Sequence, residues 1–234
     1  MKHSQSGLTL VETAIVLVII GLLLGGILKG QEIINSARVR ALTDRAAGAQ
    51  AAYYGFLDRY QAVPGDMTAT DATDAIGVTV SSGGDGNGQL DNPAGSAWTE
   101  PNALWEQLSK AGFIAGNYVG GNSAPDSGNN VAPLNPFHHP MVVGRTADYM
   151  GLFTSGARLN IALGRGIPVE VARAVDTKID DGRPLTGSIR IAVDTGALFG
   201  AVGQSDAGTA CENQSNNTYN VRGGSQDCNL VYIF

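Results

Sequence analysis

The stretch Gly7-Leu-Thr-Leu-Val-Glu-Thr-Ala-Ile-Val-Leu-Val-Ile-Ile-Gly-Leu-Leu-Leu-Gly-Gly-Ile-Leu28 holds nearly all of the strong hydrophobicity of the chain. As a helix rising about 1.5 Å per residue, it is long enough to cross the roughly 30 Å hydrocarbon core of a bilayer. Lys2 precedes the run and favours a cytoplasmic amino terminus. No small-residue cleavage site of a secretory signal follows it, so the sequence predicts a retained membrane helix and an exported remainder.

One residue of this stretch does not suit a simple anchor. The carboxylate of Glu12 lies inside the apolar run, where an ionised side chain costs up to about 2.5–3.5 kcal/mol at a helix centre and less near an end. Such a group needs a partner. The alternative is a single-pass anchor with Glu12 near the lipid headgroups, but it explains neither the short leader ending in Gly7 nor the placement of Glu12.

The segment Gly7-Leu8-Thr9-Leu10-Val11-Glu12 resembles the cleavage and methylation signature of type IV pilins and type II secretion pseudopilins. The resemblance implies that a prepilin peptidase cuts after Gly7 and that Leu8 becomes the N-methylated first residue. It also implies that Glu12 pairs with the terminal amine of a neighbouring subunit. Leu8 stands where the family usually has phenylalanine. The resemblance covers residues 1–60, with a looser likeness beyond.

We expect a cleaved leader at 1–7, a transmembrane and assembly helix at 8–62, and an extracytoplasmic head at 63–234. Past Lys29, apolar side chains repeat at steps of three and four residues on one helix face, which predicts that this face carries the head. The face consists of Leu42, Ala46, Ala49, Tyr53, Phe56 and Tyr60. Pro64 predicts the end of the helix, because proline removes a donor and restricts the residue before it.

The predicted fold class is α+β and pilin-like, with the long helix packed on an antiparallel sheet between long loops. The chain has 32 glycines, too many for a helical bundle. Helices are predicted at Glu100–Gly112 and from Pro168 onward. Strands are predicted at Met141–Val143, Tyr149–Phe153, Leu159–Leu163, Ser188–Val193 and Asn229–Phe234.

Two cysteines, Cys211 and Cys228, lie in a stretch rich in Gly, Asn and Ser. Because the membrane helix exports this part of the chain, we expect a structural disulfide between them. Two thiols that never meet are the alternative. Closing a loop of about 18 residues removes on the order of 3 kcal/mol of chain entropy from the unfolded state.

The loop Asp85-Gly-Asn-Gly-Gln-Leu-Asp91 places oxygen-bearing side chains at alternate positions with glycines between them. This spacing lets a tight loop wrap a hard cation. The candidate calcium ligands are Asp85, Asn87, Gln89 and Asp91. The loop lacks the glycine and the final glutamate of a full EF-hand pattern, and Glu100 is a candidate for the missing carboxylate. The resemblance adds that several pilin-like heads bind calcium in their loops; a polar turn without metal is the alternative.

Three further carboxylates, Asp176, Asp180 and Asp181, come together where the helix from Pro168 is predicted to end. We interpret them as a solvated turn in which Asp180 and Asp181 make turn hydrogen bonds. Whether the three form a second cation site stays open at this point.

Composition and motifs narrow the function classes. Charged residues make up 15% of the chain and the formal net charge is −6, so we do not expect nucleic-acid binding. The sequence contains no nucleophile elbow, phosphate loop, metalloprotease helix or CxxC motif. We therefore expect a protein that is not an enzyme and that uses no organic cofactor.

The resemblance implies a structural role as a subunit of a type IV pilus-like filament. The alternatives are a pseudopilin of a type II secretion system and a minor pilin that acts as an adhesin or DNA receptor at a filament tip. The implied partners are further copies of the chain, other pilins or pseudopilins, the prepilin peptidase and an inner-membrane assembly platform. The implied location is the inner membrane before assembly, with a single span, and a periplasmic or cell-surface filament afterwards.

Overall fold

The computed structural model describes residues 9–90, 98–151, 156–192, 211–213 and 215–234. They fall into two compact units, one reaching Arg38 and the other running from Val39 to Phe234. In chain order, a long apolar helix comes first and an antiparallel sheet follows. The fold class is therefore α+β and consistent with a pilin fold, as expected from the sequence.

Helix α1, Leu10–Tyr60, begins with a reciprocal cap. The amide of Glu12 donates to Thr9 Oγ1 at 3.3 Å, and Glu12 Oε2 accepts from the Thr9 amide at 2.8 Å. Such a capping box satisfies amides that the first turn of a helix leaves without partners. The helix ends before Gln61, which has a left-handed φ of 53°, and Pro64 follows shortly after, as the sequence analysis predicted.

In the unit that reaches Arg38, the helix carries apolar side chains around its whole surface. The large hydrophobic residues from Leu10 to Ile34 are between 46% and 85% exposed. Within the described residues, α1 is the one helix that is long and apolar enough to cross a membrane. Exposed apolar surface of this extent is unfavourable in water, so it requires lipid or other helices as its surroundings.

From Val39 onward, α1 belongs to the compact unit of the head. The predicted face is confirmed, because its side chains are buried or, for the last, partly buried: Leu42, Ala46, Ala49, Tyr53, Phe56 and Tyr60. Steps of three and four residues keep returning to one side of a helix with 3.6 residues per turn. Thr43 and Ala52 are also buried and widen this face.

The described residues contain six strands: β1 (Val142–Thr146), β2 (Arg158–Ala162), β3 (Ile189–Ile191), β4 (Glu212–Asn213), β5 (Thr218–Tyr219) and β6 (Leu230–Ile233). Four of them form an antiparallel sheet in the order β1-β2-β6-β3, and β4 pairs with β5 in a separate hairpin. The carboxyl-terminal strand therefore lies inside the sheet. The strands predicted near β1, β2, β3 and β6 are confirmed, whereas β4 and β5 were not predicted.

The prediction of a strand at Tyr149–Phe153 is wrong for the part that the structure describes. Tyr149 forms only an isolated bridge with Ala192. Its amide turns back to the carbonyl of Ala147 at 2.8 Å, which interrupts the extended pairing. Residues 152–155, which include the end of this segment, lie outside the described residues.

The described part of the head also contains three shorter α-helices: α2 (Ala69–Ile76), α3 (Thr99–Lys110) and α4 (Val169–Ile179). The predictions of α3 and α4 are confirmed, but α2 was missed. Thr68 caps α2 by accepting from the Asp71 amide at 3.2 Å and donating its hydroxyl to the Asp71 carboxylate at 2.7 Å. Gly77, with a φ of 79°, ends the helix in the left-handed conformation that glycine tolerates.

The core of the head lies among the buried face of α1, helices α3 and α4, and the four-stranded sheet. Helix α3 contacts β1, and α4 contacts β3 and β5. The largest fully buried side chains include Phe56 on α1, Trp105 on α3 and Ile161 on β2.

Candidate functional site

The carboxylate of Glu12 is the described part of the predicted processing and assembly site. Its Oε2 accepts from the amide and the hydroxyl of Thr9 at 2.8 and 2.9 Å. Both bonds use the same oxygen, and the side chain is exposed, so the other oxygen is accessible to a donor from another chain. Gly7 and Leu8, the predicted cleavage and methylation residues, lie outside the described residues.

The predicted disulfide between Cys211 and Cys228 is confirmed, with the two Cα atoms 5.8 Å apart. Both cysteines are completely buried. Cys228 forms a backbone bridge with Ile167, just before α4, and Cys211 accepts from the amide of Asn220 at 2.9 Å. The disulfide thus joins the β4–β5 hairpin to the core of the head.

The carboxylate of Asp176 at the end of α4 is buried, so the interpretation of a fully solvated turn is wrong for this residue. Its Oδ2 accepts from the Tyr219 hydroxyl at 2.7 Å, and its Oδ1 accepts from the Gly182 amide at 3.0 Å. Burial raises the pKa of the Asp176 carboxyl to about 7, although both hydrogen bonds oppose the shift. Burial likewise raises the pKa of Tyr219.

The expected turn hydrogen bond is confirmed for Asp181, whereas Asp180 accepts from amides at the start of β3. Asp180 Oδ2 accepts from the Ile189 amide at 3.1 Å and also from the neighbouring amide of Ser188. Asp181 accepts from the Arg183 amide at 2.9 Å. Carboxylate oxygens of Asp176, Asp180 and Asp181 lie within 4.8 Å of one another. Donors from the turn, from the start of β3 and from Tyr219 thus hydrogen-bond all three carboxylates.

In the candidate calcium loop, side chains fold back on the loop backbone. Asp85 Oδ1 accepts from the Asn87 amide at 3.1 Å, and Asn87 Oδ1 accepts from the Gln89 amide at 2.8 Å. The Gln89 side chain accepts from the Arg145 guanidinium at 2.8 Å. These are the hydrogen bonds of a polar turn. Asp91, the fourth predicted ligand, lies outside the described residues.

The fold brings two further carboxylates to this loop. Oxygens of Asp66, Asp85 and Glu100 lie within 4.8 Å of one another, with Asp66 and Glu100 buried and Asp85 exposed. Glu100 was a candidate from the sequence, whereas Asp66, which follows Pro64-Gly65, was not predicted as a ligand. Three carboxylates give the hard oxygen donors that calcium prefers.

Asp66 also shapes the loop. Its Oδ1 accepts from the Asn87 amide at 3.0 Å and its Oδ2 accepts from the Gly88 amide at 2.8 Å. Gly84 is required for the close approach, because a Cβ at this position would lie 2.5 Å from a Glu100 carboxylate oxygen. The hydrogen bonds from the loop amides to Asp66 and the close packing at Gly84 therefore hold the loop against the two buried carboxylates.

Comparison with known proteins identifies the amino terminus. Residues 2–28 match the family model described as the prokaryotic N-terminal methylation motif. No curated protein and no solved structure matches the chain. The exposed apolar part of α1 fits anchoring in the inner membrane before assembly. The chain thus carries the signature of type IV pilins and pseudopilins, which implies processing by a prepilin peptidase and interaction with other pilins.

Proposed function

We propose that this chain is a structural subunit of a type IV pilus-like filament, cut after Gly7 and assembled through its amino-terminal helix. The observation that carries the proposal is the combination of the methylation motif with a helix whose large apolar side chains are exposed from Leu10 to Ile34. Lipid covers that surface while the subunit is stored, with the amino terminus in the cytoplasm. The helices of other subunits cover it after the subunit has left the membrane.

Subunits form a filament when the contacts between them do not close the assembly into a ring. When one surface of a subunit binds a different surface of the next, the assembly continues as a helix unless the rotation closes a ring. Glu12 contributes one such contact, because its accessible carboxylate oxygen meets the terminal amine that cleavage creates on a neighbouring subunit. The assembly platform of the inner membrane supplies the subunits, and the role is structural rather than catalytic.

A secretion pseudopilus is the second candidate. It has the same amino-terminal helix but forms a short periplasmic piston. The disulfide-bonded carboxyl-terminal region and the long head favour a pilin over a compact major pseudopilin. Deletion of the gene separates the two, since loss of a pilin abolishes surface filaments whereas loss of a pseudopilin blocks protein secretion.

Processing is the first test of the proposal. We expect chain purified from membranes to lack Met1–Gly7 and to carry one methyl group on Leu8, as determined by intact-mass and amino-terminal analysis. A Gly7→Leu variant should retain the leader, because the larger side chain occupies the cleavage position, whereas Ser6→Ala should be processed normally. A wild-type chain that still begins at Met1, or that is cut beyond Leu28, would contradict the proposal.

The loop that contains Asp85 supports a second part of the proposal, a structural calcium site. Asp66, Asp85 and Glu100 supply the carboxylates that lie together, and calcium accepts six to eight oxygens in irregular geometry, whereas zinc prefers nitrogen and sulfur. Asn87, Gln89 and Asp91 remain the further candidates from the sequence. An extracellular site of this kind functions at about 10⁻⁴–10⁻³ M calcium.

Calcium should raise the unfolding temperature of the full-length chain in detergent. A site with a Kd of about 1 mM adds roughly 1.4 kcal/mol to the free energy of unfolding at about 10 mM calcium, because the ion binds only the folded head. Differential scanning calorimetry with calcium and then with chelator measures the difference. Asp85→Ala should remove most of it, since Asp85 is the exposed member of the cluster.

The matched control is Asp74→Ala, which removes an exposed aspartate from α2 outside the cluster. It should respond to calcium as the wild type does. In chelator, Asp85→Ala should be no less stable than the wild type, because removal of one of three neighbouring negative charges relieves repulsion. If the wild type unfolded at the same temperature in calcium and in chelator, the loop would be a polar turn that binds no calcium.

A further inference from the structure

A cleft of about 340 Å³ opens on the head between α1, α3 and the loops that follow α3. Its lining includes the buried side chains of Trp105 and Met141 and the partly buried aromatic side chains of Phe113 and Tyr118. All of these residues lie in the compact unit from Val39 to Phe234. The volume and the aromatic walls are those of a site for a small organic molecule.

Arg45 of α1 is the one charged residue that lines this cleft in the described part of the chain. Its guanidinium donates to the carbonyl of Leu134, which also lines the cleft. None of the ion pairs formed among the described residues involves Arg45. A guanidinium has five N–H donors, so the contact with one carbonyl leaves its charge and most of its donors available.

Two further side chains that line the cleft, Tyr118 and Trp105, carry polar groups. Burial raises the pKa of Tyr118, while the positive charge of Arg45 opposes the shift, so the cation and the phenol act on each other across the cleft. The indole N–H of Trp105 is buried and has no acceptor among the described residues. This nitrogen has almost no solvent-accessible surface, so it does not face the cleft, and only the apolar part of the Trp105 side chain contributes to the lining.

We infer that this cleft binds a small aromatic carboxylate. The aromatic ring is matched by the walls of Phe113 and Tyr118, because aromatic rings pack favourably in offset and edge-to-face arrangements. The negative charge is matched by Arg45, whose planar fork suits a carboxylate. A single cation balances one carboxylate but not the two charges of a phosphate monoester, which selects the singly charged anion.

The probe for the test is 4-fluorophenylacetate, observed by fluorine NMR with the full-length chain in detergent. We expect saturable line broadening in the millimolar range for the wild type. The neutral amide of the same probe should bind about tenfold more weakly or worse, because it cannot form the charge-assisted bonds to Arg45. Acetate should not compete at equal concentration, since it lacks the ring.

Two variants test the two halves of the site separately. Arg45→Gln removes the charge and should weaken binding about tenfold or more. Gly48→Leu should block the cleft, because Gly48 lines it and a Cβ there would meet no heavy atom within 4 Å. Leucine also favours the helical conformation, so this variant should fold at least as well as the wild type.

The matched control is Arg173→Gln, which removes an exposed cation from α4, away from the cleft. It should bind the probe as the wild type does. The inference is overturned if the wild type shows no saturable binding. It is also overturned if the amide binds as well as the carboxylate, or if Gly48→Leu binds as well as the wild type, since the probe would then bind elsewhere or partition into the detergent.

Discussion

A Glu12→Gln variant is expected to enter the membrane and to lose its leader, yet to yield at least about tenfold fewer filaments than the wild type. The amide has nearly the shape of the carboxylate but lacks its charge, so it cannot neutralise the terminal amine of a neighbouring subunit. Truncating one partner of a buried charge pair costs about 2–5 kcal/mol, and 1.4 kcal/mol is already a factor of ten. Filaments sheared from cells that lack the wild-type copy provide the measurement.

The hydrogen bonds of Glu12 to Thr9 make a control necessary. Glu12 caps its own helix through Oε2, and loss of a cap alone costs about 0.5–2 kcal/mol. Glutamine preserves the capping box, so Glu12→Gln isolates the charge, whereas Glu12→Ala removes both functions. Thr9→Ala removes the capping hydroxyl and leaves the charge, and it should still yield filaments. Normal filament yield from Glu12→Gln would refute the contact between subunits.

The long helix was predictable because the residues that specify its buried face and its end lie close together in the sequence. The buried face of α1 repeats with the period of a helix, and Pro64 marks its end. The start of the helix was predictable as well, because Thr9-x-x-Glu12 is a capping-box pattern. Glu12 was interpreted only as a charge within the apolar run, and the cap was not predicted. A similar pattern, Thr68-x-x-Asp71, starts α2, and this helix was not predicted from the sequence.

The candidate calcium site was predictable only in part, since its residues come from three distant segments. Asp85 stands in a loop whose spacing is visible in the sequence. Asp66 and Glu100 reach the same place through the turn after α1 and the start of α3. Likewise, the burial of Asp176 depends on Tyr219, which comes from the hairpin inside the disulfide loop. Contacts of this range have no signature in the local pattern.

The burial of the polar side of helix α3 was not predictable from the sequence, for a different reason. A helix was predicted at Glu100–Gly112, but its surroundings were not, and every residue from Glu100 to Leu108 is buried. The polar side is covered by loops, and Glu106 is at the centre of that contact. An amphipathic pattern predicts a solvent-exposed polar face, so nothing in the local sequence distinguishes this buried carboxylate from an exposed one.

Glu106→Ala is expected to lower the free energy of unfolding of the head by about 3–5 kcal/mol, because each buried donor left without its acceptor costs about 1–3 kcal/mol. Glu106 Oε1 accepts from the Ser81 amide at 2.8 Å, and Oε2 accepts from the amides of Ser82 and Gly120 at 3.1 and 3.0 Å. Alanine leaves these three amides without their acceptor. Lys110, with its Nζ 3.6 Å from the carboxylate, also loses a partner.

Chemical denaturation of the detergent-solubilised chain gives the overall loss, and hydrogen exchange gives its location. Exchange should accelerate most at Ser81, Ser82 and Gly120, because those amides lose their acceptor directly. Glu106→Gln should fall between the wild type and alanine, since it retains one acceptor oxygen and turns an N–H toward former donors. Glu170→Ala removes an exposed glutamate from α4 and should change stability by less than about 0.5 kcal/mol. If Glu106→Ala matched that control, the carboxylate would not be what holds the loops against α3.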